Sequence, residues 1–107
     1  MLSLDSIIDK LRTVYDSYEG IRIGVAGSYA LDTATEESDI DVVVEGDSTR
    51  IDIAEKIKEL FSIPVDVLWV SLLRQEDEEL DIFAAKMGLP INKDSVYKTI
   101  MREAIWI

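Results

Sequence analysis

The chain has 107 residues with 22 acidic and 11 basic side chains, a net charge of −11, and no cysteine or histidine, which removes disulfides, thiol nucleophiles, Cys/His zinc sites and imidazole acid–base chemistry together. The excess of anions argues against direct binding to a nucleic-acid polymer, because such binding depends on Lys and Arg neutralising phosphates. One domain over residues 1–107 is expected, with no apolar run long enough for a membrane and no signal-peptide pattern at Met1-Leu2-Ser3, hence a cytoplasmic protein.

Ser3 reads as an N-cap. Leu4, Ile7, Ile8, Leu11, Val14, Tyr15 and Tyr18 then recur at helical spacing, with Asp9, Lys10, Arg12 and Asp16 opposite, so an amphipathic helix is predicted to end near Gly20. Its two tyrosines lie on the apolar stripe and are expected in the core rather than as a stacking platform for a base. A β-branched strand follows over residues 21–26. A second runs over about 39–44, and its two-residue alternation sends Ile40, Val42 and Val44 into the core and puts Asp39 and Asp41 on one face. At the rise of a strand those two Cα atoms are roughly 6.5–7 Å apart, so their carboxylates repel unless a hard divalent cation sits between them. Between the strands, Gly27 lets backbone approach a ligand closely, and Ser28, opening a short helical turn, offers a hydroxyl and backbone N–H groups to a phosphate.

A turn at residues 45–48 leads to a helix capped by Ser48 or Thr49, with Ile51, Ala54, Ile57, Leu60 and Phe61 inward and Glu55 and Glu59 outward, ending before Pro64. Residues 64–70 form a third strand in which Asp66 is a lone carboxylate; by itself it reads as a surface position on a half-exposed strand. Ser71 caps a longer helix with Leu72, Leu73, Leu80, Phe83, Ala84 and Met87 inward, Glu76-Asp77-Glu78-Glu79 toward water, and a stop at Gly88 and Pro90. From Asn92 or Asp94 a last helix uses Val96, Ile100 and Met101, and residues 104–107 read as a short closing strand. This order is α/β: a small domain with a mixed sheet of about four strands flanked by helices.

Gly27-Ser28, ten intervening residues and Asp39-Ile40-Asp41, set between two strands, resemble the signature of the minimal nucleotidyltransferases, small relatives of DNA polymerase β. The resemblance implies a third acidic residue on the strand after the intervening helix, and Asp66 is the position that matches. It implies that Asp39, Asp41 and Asp66 are catalytic and hold Mg²⁺ as a two-ion site, while Gly27 and Ser28 grip the triphosphate. Asp66 would complete the metal cage and orient or deprotonate the attacking hydroxyl.

The implied reaction is transfer of AMP, or another nucleoside monophosphate, from ATP to a hydroxyl. The implied partner is a HEPN protein, a helical ribonuclease toxin AMPylated on tyrosine, which makes this chain an antitoxin. The chain departs from the family at Leu31-Asp32, where members often carry Arg-Gly; the lost cation is expected from Lys93, Lys98, Arg102 or a partner chain. That departure favours a different reading, a non-catalytic module that neutralises its partner by contact. The three clustered anions favour the enzyme, since a pure binding module has no use for their mutual repulsion.

Overall fold

Periods of 3.6 and 2 residues alternate along the chain. The computed structural model, which describes residues 1–46 and 50–107, turns them into α1 (Leu4–Tyr15), β1 (Arg22–Ala26), α2 (Gly27–Ala30), β2 (Ile40–Glu45), α3 (Ile51–Glu59), β3 (Val65–Trp69), α4 (Val70–Met87), α5 (Val96–Glu103) and β4 (Ile105–Trp106). The four strands form one mixed sheet in the order β3-β2-β1-β4, with β2 and β3 parallel and β1 antiparallel to both β2 and β4. The expected α/β class and strand number are what the chain adopts.

Alternation divides the core between the two faces of this sheet. Ile23, Val25, Ile40, Val42, Val44 and Val65 face α1 and α3, where they meet Ile7, Leu11, Val14, Ile53 and Ile57. Ala26, Val43 and Leu68 face the other way, toward Val70 and Leu73 of α4 and Ile100 and Met101 of α5. Along one row of this second face the register aligns Leu68, Val43, Gly24 and Trp106. Gly24 is needed there because an added Cβ would come within 2.9 Å of the Trp106 ring. One step along the strands, the next row on the same face is Asp66, Asp41 and Ala26.

Several local expectations are corrected by packing. Ser3 caps α1 as expected, its hydroxyl accepting from Ser6 N–H at 3.1 Å, but the helix stops at Tyr15, well before Gly20, and Tyr15 is exposed. In α3 the inward residues are Ile53 and Ile57, whereas Ile51 is 75% exposed. The expected caps Ser48 and Thr49 lie outside the described residues. Helix α4 continues directly from β3 with no side-chain cap, so Ser71 falls inside it, and α5 is capped by Ser95, which accepts from Lys98 N–H at 3.2 Å, rather than by Asn92 or Asp94. Val96 stands outward.

The largest difference concerns α4. Leu72, Leu80, Phe83 and Met87, expected inside, are each at least half exposed, while Asp77, expected in water, is 6% exposed. The helix is rotated so that Val70, Leu73 and Asp77 face the sheet and α5. The reason is Lys98 on α5, whose ammonium lies 3.0 Å from Asp81 and 3.6 Å from Asp77 and draws that side of α4 inward. Gly88, at φ +68°, ends the helix as its stop signal predicts. Among the described residues no helix is long and apolar enough to cross a membrane.

Candidate active site

The site is assembled where β1 hands over to β2. β1 ends at Ala26, and Gly27, at φ +66°, turns the chain into the four-residue helix α2. Glycine is required there for two reasons: the backbone is left-handed, and a Cβ would run into Oδ2 of Asp41. The pairing of β1 with β2 sets Ala26 opposite Asp41, and the parallel pairing of β2 with β3 sets Asp41 beside Asp66. Adjacent strands are about 4.8 Å apart, so the two carboxylates leave the same sheet face as neighbours. Asp39 precedes Ile40, the first residue of β2, and is exposed, as is Asp66; Asp41 is half-buried.

Burial pushes the Asp41 carboxyl above its ordinary range, and the charges of Asp66 and then Asp39 push it further. All three influences act upward. The carboxylates that the sequence singled out thus share one electrostatic neighbourhood, although among the described residues no three acidic side chains close into a ready-made metal cage. The donor set is oxygen only, anionic and open to solvent. That fits a hard divalent cation such as Mg²⁺, which keeps several waters and takes one or two carboxylates together with substrate phosphates.

The loop before Asp39 is closed on itself by the hydroxyls and backbone of Thr35 and Ser38. Thr35 N–H donates to Ser38 Oγ at 2.9 Å, Ser38 N–H to the Thr35 carbonyl at 3.1 Å and Glu37 N–H to Thr35 Oγ1 at 3.3 Å. The Thr-x-x-Ser spacing was the available signal, since such hydroxyls close local turns. Ser28, half-buried in α2, accepts from Thr33 N–H through its carbonyl at 2.9 Å.

Leu31 is 49% exposed at the end of α2, and Asp32 adopts φ +58°. Asp32 lines a cavity of about 300 Å³ with Met1, Leu4, Tyr29 and Ala34, and none of the three carboxylates borders it. Tyr29 itself packs in the core on the α1 and α3 side of the sheet. Of the cations named as substitutes for the missing arginine, Lys98 is engaged by Asp81, Asp77 and the Asn92 carbonyl, and Arg102 by Asp94 at 3.2 Å.

Compared with known families, residues 4–107 match the model of the nucleotidyltransferase domain. No curated protein matches the chain.

Proposed function

The chain belongs to the nucleotidyltransferase domain family, and from that membership we propose that it moves AMP from ATP, with Mg²⁺, to a hydroxyl on a partner protein. The observation that carries this reading is the row formed by Asp41 and Asp66 beside the Gly27 turn, with the Asp41 carboxyl raised by its anionic neighbours. Bound there, Mg²⁺ would offset the charge of the triphosphate and of the carboxylates. Asp39, Asp41 and Asp66 would hold the cation. Gly27 admits the triphosphate close to the backbone, and the Ser28 hydroxyl and amide donate to it. Asp66, the exposed member of the pair, accepts the proton of the attacking hydroxyl. The acceptor oxygen bonds to the α-phosphorus as the bond to pyrophosphate breaks.

The partner in this reading is a HEPN-type protein, the acceptor one of its tyrosines, and the outcome neutralisation of a toxin. These finer assignments rest on the resemblance of Gly27-Ser28 and Asp39-Ile40-Asp41 to minimal nucleotidyltransferases. The second reading, a module acting by contact alone, rests on Leu31-Asp32 and on the engagement of Lys98 and Arg102 elsewhere. Incubation with labelled ATP, Mg²⁺ and the product of an adjacent gene, followed by mass spectrometry of both chains, separates the two. An AMP adduct on a partner tyrosine, absent with the Asp39→Asn, Asp41→Asn, Asp66→Asn triple variant, is the expected result. A triple variant that folds and still silences the partner at wild-type potency sinks the enzyme reading.

A further inference from the structure

Helix α4 carries two apolar stripes, and only one is used by the fold. Val70 and Leu73 belong to the inner stripe. Leu72, Leu80, Phe83 and Met87 form the outer one, exposed by 50–61%. At 3.6 residues per turn these four side chains fall within roughly 80° of arc, a narrow seam that Glu76 interrupts between Leu72 and Leu80 and that is unbroken from Leu80 through Phe83 to Met87. Val96 of α5, also more than half exposed, stands beside Leu80. Single exposed apolar residues need no explanation, but a ridge such as Leu80, Phe83 and Met87 marks an interaction surface.

Charge decides what the ridge accepts. Glu76 lies within the seam and Glu79 borders it, with Lys86 on the same border near Met87, while Arg74 of the same helix is held by Glu45 at 2.7 Å. A small groove of about 80 Å³ between α4 and α5 runs beside the seam, with Leu80 and Val96 as apolar walls and Glu76 at its rim. A second copy of the chain would bring a charge of −11 against −11. We propose that the outer stripe of α4 docks an amphipathic helix of another protein, its apolar side on Leu80 and Phe83 and its flanks basic against Glu76 and Glu79. Since α4 packs on the sheet face that carries Asp41 and Asp66, a partner seated on it lies on the carboxylate side. That link to transfer rests on the function proposed above; the docking rests on the stripe and its charge.

The test uses the full chain and a synthetic 18-residue helix matched to the length of α4, with leucines along one seam and lysines flanking it, and the same peptide with glutamates in place of the lysines. The lysine peptide is expected to bind with micromolar affinity, about tenfold tighter than the glutamate peptide and weakening with salt. Leu80→Ser with Phe83→Ser is expected to weaken the lysine peptide by about tenfold while thermal midpoint and Mg²⁺–ATP binding stay at wild-type values, because both side chains lie outside the core and the carboxylate row. Equal binding of the two peptides, binding of neither, or a wild-type dimer in light scattering that the double variant dissolves would each overturn the proposal. Wild type that binds the lysine peptide but not Mg²⁺–ATP supports docking and overturns only the transfer reading.

Discussion

At Asp41 the fold accepts a charge that it would be more stable without. A carboxyl whose folded pKa is raised contributes most to stability while protonated, below its ordinary value of 3.8, and that contribution is lost as pH rises through the folded value. Asp41→Asn is therefore expected to melt above wild type at pH 7, and the difference should vanish below about pH 3.8; a thermal melt series across pH checks it. Mg²⁺ should raise the wild-type midpoint more than NaCl of equal ionic strength, and the Asp39→Asn, Asp41→Asn double variant should lose that excess. Gly27 is constrained by the same carboxylate. Gly27→Ala places a Cβ at φ +66° against Asp41 Oδ2, so it should cost about 1–3 kcal/mol in denaturant unfolding and weaken ATP binding as Asp41 is displaced.

Between elements, the α4–α5 contact is held by ions as well as by packing. Lys98 raises its own pKa chiefly through its bond to Asp81, with the Asp77 and Asp81 charges adding to it, and Asp77 Oδ1 has no hydrogen-bond partner among the described residues. Lys98→Met should lower the thermal midpoint by leaving Asp77 buried without its cation, and adding Asp77→Leu should recover it, since apolar residues of similar volume replace a buried pair well. A second variant isolates the cap: Ser95→Ala removes the acceptor of Lys98 N–H at the start of α5 and should cost about 1 kcal/mol by the same melts. Both changes spare the carboxylate row, so Mg²⁺–ATP binding should survive them.

For the molecule as a whole, net charge sets the conditions under which it is most stable. Twenty-two acidic against 11 basic side chains repel one another across a small surface, and salt shortens the reach of that repulsion from about 30 Å at 0.01 M to about 10 Å at 0.1 M. The thermal midpoint should therefore rise with NaCl over that range. A midpoint that falls instead would mean that ion pairs such as Arg22–Glu45 and Arg74–Glu45 outweigh the net repulsion.

The sequence by itself determined the α/β class and the element order, because each follows from a local period or a stop signal such as Gly88. Family resemblance, rather than the lone Asp in a β-branched run, selected Asp66. Tertiary structure alone decided that Asp66 stands beside Asp41, since parallel register joins strands separated by a whole helix. It also decided which stripe of α4 is buried. Leu72, Leu80, Phe83 and Met87 have the stronger apolar pattern, but the ionic partners Asp77, Asp81 and Lys98 lie on different helices, and only their meeting fixes the rotation. Periodicity reports that a helix has an apolar face; what that face meets depends on side chains far away in the chain.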